Sequence, residues 1–340
     1  MKKLLNVLYV STQSIYLHQE GDTVVAEKDH KTILRLPIHT LAGIVCFGNV
    51  LCSPFLLGLC GEHGVHVSFL SDYGKFLARV EGSVSGNVLL RIAQTNASNT
   101  PQKSKDVASS FVIGKLLNSR AVIMRRLRDH GMDNDCQKVA EHFSDAIRRV
   151  KLADNINAVR GIEGEAASFY FSVFNKLLVA QESDFSLKSR SRRPPLDPMN
   201  ALLSFLYTLL AHDCEGALQS VGLDPQIGFL HALRAGRPSL ALDLMEEFRA
   251  ILADRLAISL VNLNQLSIKD FTFTDSGAVL LAEDARKTVL TAWQRKKQDE
   301  LVHPFINEKI KIGLLPYVQA LLLARFLRGD MDAYPPFILR

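Results

Sequence analysis

Four side chains of this chain, Glu163, His231, Asp243 and Glu246, have the types and spacing from which a divalent-metal site is built. Glu163 lies in VRGIEGEAASFYFSVFNKLL (159–178). At about 100° per residue it falls on the stripe of Ala166, Ala167, Tyr170 and Phe174, whereas Glu165 projects to the opposite, solvated face with Ser168, Ser172 and Lys176. A carboxylate on an apolar stripe is costly to bury unless an Arg, a His or a metal ion meets it. The competing reading is a wet glutamate near a helix N-terminus, favoured by the helix dipole. A second stretch, GFLHALRAGRPSLALDLMEEFR (228–249), follows turn chemistry at Asp224, Pro225 and Gly228 and places His231 near a helix start, with Pro238 and Ser239 opening the helix itself. Asp243 and Glu246 share the flank of that helix and Glu247 is expected in solvent. An acid pair beside Arg249 also suits a plain surface salt bridge. The metal reading gains from chemistry: one Glu, one His and a second acid make a mixed oxygen and nitrogen set suited to Mg²⁺ or Mn²⁺, with positions left for water and phosphate. Such an ion neutralises phosphate charge and activates a bound water or hydroxyl without a covalent enzyme intermediate.

The rest of the chain limits the chemistry. There is no GxxxxGK[ST] loop, no GxGxxG after a strand, no HExxH and no GxSxG, which weighs against nucleotide hydrolysis, dinucleotide redox chemistry and zinc proteolysis. Cys60, His63 and His66 lack a fourth zinc ligand and are assigned to core and turns. A formal charge of +5 over 340 residues means that affinity for a polyanion must come from local clusters: 125–128, 148–151, the KSRSRR run with Lys188, Arg190, Arg192 and Arg193, then Arg234, Arg237 and 294–297. Each cluster taken singly is also what a solvated helix face looks like. Five cysteines without a CxxC pair fit free thiols in the cytoplasm.

Two periods organise the elements that must position these groups. Up to about residue 80 short β-rich runs alternate with turns, starting with MKKLLNVLYV, read as a first strand rather than a signal peptide. SPFLLGLCGEHG (53–64) is the one helical exception. After Gly86 the period becomes 3.6, with helices expected at about 103–130, 134–150, 154–178, 198–219, 239–263, 282–298 and 314–328, and a small hairpin within 267–281. The expected fold is α+β: a small N-terminal β-sheet domain with one short helix (1–85), followed by a larger all-α domain (86–340) carrying the metal site. The Ser-, Pro- and Arg-rich segment 181–198 is expected to be a mobile basic loop.

IEGEAASFYF, PPLDPMNALLSFLYTLL and GLDPQIGFLHALRAGRPSLALDLMEEFR, in this order and with the tail QALLLARFLRGDMDAYPPF, resemble the universal CRISPR-associated endonuclease, the integrase of spacer acquisition, over nearly the whole chain. The resemblance implies an asymmetric homodimer that works with a small ferredoxin-like partner protein and inserts short DNA fragments into a CRISPR array for antiviral defence. A 3′-hydroxyl of the incoming DNA would attack a repeat-end phosphate; water attacking instead would give nuclease activity. The resemblance also assigns the metal ligands as Glu163, His231 and Glu246, with Asp243 as a supporting group or alternate ligand. Two rival readings stay open on the residues alone: a stand-alone metal-dependent nuclease on branched or repair DNA, and a non-catalytic DNA-binding scaffold.

Overall fold

The computed structural model describes residues 6–71, 76–80, 82, 88–191 and 194–339. The chain divides into two compact units, one comprising Met1–Ser85 and Ala282–Thr291, the other Gly86–Leu281 and Ala292–Arg340. The first unit holds β1 (Asn6–Val10), β2 (Ile15–Glu20), β3 (Thr23–Lys28), β4 (Lys31–Pro37), β5 (Leu41–Phe47), β6 (Val50–Cys52), α1 (Pro54–Glu62), β7 (His66–Leu70) and β8 (Phe76–Val80). One sheet has the order β1-β5-β7-β8, parallel except for β8; the other has the order β4-β3-β2-β6, with β6 parallel to β2. Alternation along β2, with Ile15 and Leu17 buried and Tyr16 exposed, gives the period of two that a half-buried strand requires. Ile15, Leu17, Val24, Ile44, Cys46 and Val67 meet Leu56 and Cys60 of α1 in one apolar core. Ser53 caps α1 by accepting from Leu56 N at 3.1 Å, with Pro54 in the first turn.

The second unit is mostly helical: α2 (Val88–Asn99), α3 (Pro101–His130), α4 (Asn134–Leu152), α5 (Ile156–Ser172), the short α6 (Glu182–Phe185), α7 (Pro198–Ser220), α8 (Ser239–Met245), α9 (Arg255–Asn262) and α11 (Leu315–Leu327); α10 (Glu283–Gln298) begins among the residues grouped with the first unit. The expected hairpin is β9 (Phe271–Phe273) paired antiparallel with β10 (Val279–Leu281). A second small pair, β11 (Glu300–Val302) with β12 (Lys309–Lys311), was not expected, and neither was α2. α3 is long and apolar enough by composition to cross a membrane, but 61% of its most apolar window is buried inside the protein. It is the central core helix, with Phe111, Leu116 and Ile123 buried.

One expectation changes here. The helix expected over 239–263 is not continuous: α8 stops at Met245 and residues 249–254 wind as a π-helix before α9. Wide turns of this kind are rare and concentrate at functional sites. The segment 181–198, expected to be a mobile basic loop, makes several hydrogen bonds to its neighbours. Asn175 donates to Ser186 Oγ and Leu187 O, and its own carbonyl accepts from Leu187 N. Asn200 donates to Ser189 O and accepts from Ser191 N, and Val279 N donates to Pro195 O. Arg192 and Arg193 lie outside the described residues.

Candidate metal centre

Where α5 starts decides where Glu163 stands. Asn155 caps the helix, accepting from Ala158 N at 3.0 Å, and about two turns later Glu163 emerges beside buried Ala166 and Tyr170. It is mid-helix rather than at the terminus. α3 supplies what meets it: Lys115 Nζ donates to Glu163 Oε1 and pairs with Glu246 Oε2 at 2.8 Å. Two carboxylates from distant parts of the sequence thus converge on one ammonium. Glu246, 3% exposed, also receives Arg249 Nη1 on both oxygens, at 2.9 and 3.2 Å. Burial disfavours the Glu246 anion, yet the charges of Arg249 and Lys115 outweigh it and hold this carboxyl well below the usual carboxylate range. Arg249 lies over the Tyr207 ring, 4.3 Å from its centroid, and Tyr207 in turn donates to Asp254 Oδ1 at 2.6 Å.

His231 is not at a helix start. It sits in a bend of the α7–α8 connection, well before α8 opens at Ser239. Asp243, fully buried, organises that connection: Oδ2 accepts from Phe229 N at 2.6 Å and Leu230 N at 2.9 Å, while Oδ1 accepts from His231 N at 2.9 Å and His231 Nδ1 at 2.7 Å. Four donors use the acceptor capacity of one carboxylate. Because a carboxylate only accepts, the proton is on Nδ1, and Nε2 of a neutral imidazole is left to act as a ligand. Other elements pin the same connection. Gln94 of α2 donates to Asp224 O and Ile227 O, both at 2.8 Å, Ser98 donates to Gly228 O, and Arg160 donates to Leu230 O at 2.6 Å. Gly228 is required by close approach: a Cβ there would lie 2.7 Å from Ser239 C and 2.8 Å from Asp243 Oδ2.

Glu163 and Glu246 thus meet at Lys115, His231 and Asp243 meet each other, and His231 is near enough to Glu246 to act on its charge. Among the described residues no three His, Cys, Asp or Glu side chains are arranged to hold a metal ion as they stand. The cluster does offer two carboxylates and an imidazole, a donor set that hard divalent cations accept. Asp243 has no free oxygen to add to it.

Two other expectations need correction. Glu247, expected in solvent, is fully buried, because the chain turns after α8 and sends adjacent acids to opposite sides. It accepts from Tyr334 Oη, Gln319 Nε2 and Phe337 N. Glu165 is not simply solvated but pairs with Arg149 of α4 at 2.7 Å. Arg190, expected at a phosphate, donates to Asn200 Oδ1 and Ser191 O and lies over Tyr207. Other basic residues pair with acids of the protein: Arg125 and Arg128 with Asp129 and Arg148 with Asp145 at the surface, and buried Lys297 with Asp213. Lys188 and Arg234 are exposed and Arg237 is half-buried. Lys115 went unnoticed in the sequence, although a lone lysine inside the apolar run of α3 was its signal.

A family model described as CRISPR associated protein Cas1 matches residues 8–295. The chain belongs to the Cas1 family. A CRISPR-associated endonuclease Cas1 of Rhodospirillum rubrum is 53% identical, over 99% of this chain and 99% of its own. Among solved structures similar to it, a casposase bound to integration product has a TM-score of 0.85 at 22% identity, covering 99% of this chain and 95% of that one. A Cas6-RT-Cas1–Cas2 complex has a TM-score of 0.83 at 23% identity, covering 100% of this chain and 37% of that one. At those identities the Cas1 family fold, a β-sheet region followed by a mostly helical domain, is what is shared.

Proposed function

We propose that this chain is a divalent-metal-dependent DNA endonuclease and integrase that inserts short DNA fragments into a CRISPR array. The observation that carries the reading is the convergence of Glu163 and Glu246 on a single cation, beside an imidazole whose Nδ1 is fixed by Asp243 so that Nε2 is available. Glu163, Glu246 and His231 would hold Mg²⁺ or Mn²⁺. When bound, the ion neutralises charge on a phosphodiester and lowers the pKa of a bound hydroxyl or water. The protein's own residues do the rest. Asp243 holds His231 in one tautomer and orientation, Arg249 keeps Glu246 ionised and fixed, and Gln94, Ser98 and Arg160 stop the connection from shifting. Exposed Arg234, with Arg237 and Lys188, would meet the phosphate backbone. One phosphodiester replaces another when a DNA 3′-hydroxyl attacks, so the step needs no nucleotide cofactor.

The similarity to a Cas1–Cas2 complex and to a DNA-bound casposase supports DNA as substrate and Cas2 as the small partner; a homodimer and a cytoplasmic location, where its unpaired cysteines would persist as thiols, complete the proposal. A labelled duplex with free 3′-hydroxyls, incubated with a repeat-bearing plasmid and Cas2, should give joined product in Mg²⁺ or Mn²⁺ and none in EDTA. Glu163→Ala and His231→Ala should each abolish joining. Unchanged joining by both variants would sink the reading.

A further inference from the structure

Two cations meet the two candidate ligand carboxylates: Glu163 and Glu246 face Lys115, and Glu246 also faces Arg249, while Asp243 is engaged by the connection and His231. The two cations differ in how firmly they are held. Arg249 Nη1 reaches both oxygens of Glu246, and the guanidinium lies over the Tyr207 ring. Lys115 is a point charge on a flexible four-carbon stem, with its side chain 11% exposed, touching one oxygen of each glutamate. A divalent ion needs those same oxygens. It would place two positive charges against an ammonium with little water to screen the repulsion. Room exists beside the lysine: a cavity of about 60 Å³ is lined by Lys115, Glu163, Tyr170, Tyr207 and Asp254.

We infer that Lys115 is a cation placeholder: its ammonium stands in for the divalent ion between Glu163 and Glu246 and must leave when the ion enters. Resting on the metal reading above, this adds that metal affinity is set by competition with a residue of the protein itself. With the ammonium between them, half-buried Glu163 and buried Glu246 need not repel each other.

Calorimetric titration of the full-length protein with Mn²⁺ alone tests it. Lys115→Met should bind Mn²⁺ at least tenfold more tightly than the wild type. It should melt at a lower temperature in EDTA and recover most of the difference in saturating Mn²⁺. A lysine with a merely structural role predicts weaker binding on removal, so equal or weaker Mn²⁺ affinity in Lys115→Met overturns the inference. A crystal structure of the wild-type protein with Mn²⁺, located by its anomalous signal, needs no variant. Mn²⁺ on Glu163 and Glu246 with Lys115 Nζ beyond hydrogen-bond reach of both agrees with the inference; Mn²⁺ there with Lys115 still bridging them overturns it alone. No Mn²⁺ bound to either protein overturns the metal reading and takes the inference with it.

Discussion

Two glutamates two residues apart on α5 have different fates because only one faces α3. Glu163 meets Lys115, whereas Glu165 reaches Arg149, and both members of that second pair are about two-fifths exposed. An ion pair so placed contributes at most about 1 kcal/mol. Glu165→Gln should therefore leave joining activity within about twofold and the melting temperature nearly unchanged. Glu163→Gln keeps an oxygen for Lys115 and leaves the Lys115–Glu246 pair intact, so the protein should fold, but metal-dependent joining should fall to background. Circular dichroism melts and the plasmid assay on both variants check this. An inactive Glu165→Gln beside an active Glu163→Gln would overturn the assignment.

At the scale of an element, the site depends on a connection rather than on a helix. Residues 224–231 have no regular structure, yet α2, α5 and α8 each bond them, so His231 is positioned as firmly as if it were helical. Gly228 is the tightest point. Gly228→Ala would push a methyl group into Ser239 and Asp243 Oδ2, and overpacking of this kind costs about 1–3 kcal/mol. The displacement would pass to His231, so Mn²⁺ affinity measured by calorimetry should fall along with stability. Gly236 is the control, with φ +70° and open space around its Cβ position. Gly236→Ala should cost about 1 kcal/mol through the left-handed backbone and leave Mn²⁺ affinity unchanged. Equal losses of affinity in the two variants would mean that the connection does not transmit the strain.

Across the helical unit as a whole, the C-terminal segment ties the site region to the core. Asn118 donates to Glu247 O and Phe337 O and accepts from Leu339 N, and Phe337 packs against Phe248. α3 therefore presents Lys115 to the metal cluster and Asn118 to the tail, as Glu246 and Glu247 do from the other side. Burial pushes the Glu247 carboxyl up to about 8, against the pull of Tyr334, Phe337 and Gln319. The folded value lies above the ordinary 4.5, so the folded state holds the extra proton between the two. Its contribution to stability is complete below about 4.5 and is lost as pH rises through about 8. Glu247→Gln mimics the protonated form, so its melting temperature should depend less on pH between 5 and 8 than that of the wild type. Parallel profiles for the two proteins would show that Glu247 stays ionised.

The sequence by itself determined the α+β division, because the change of apolar period from 2 to 3.6 is a local property that each stretch carries alone. It also determined the candidate ligand types, since Glu163 stands on an apolar stripe and His231 follows a turn signature whether or not the fold is known. Tertiary structure decided the roles. Asp243 and Glu246 look equivalent on an ideal helix, but the ending of α8 at Met245 and the π-helix at 249–254 leave Asp243 facing the backbone of 229–231 and Glu246 facing Lys115. The burial of Glu247 and the internal engagement of Arg190 were hidden for the same reason: their partners, Tyr334 and Phe337 in one case and Asn200 and Tyr207 in the other, are set by packing rather than by helical phase. Lys115 shows the limit most directly. Periodicity marks it as a charge within an apolar helix, and only the meeting of α3, α5 and α8 reveals that two carboxylates await it.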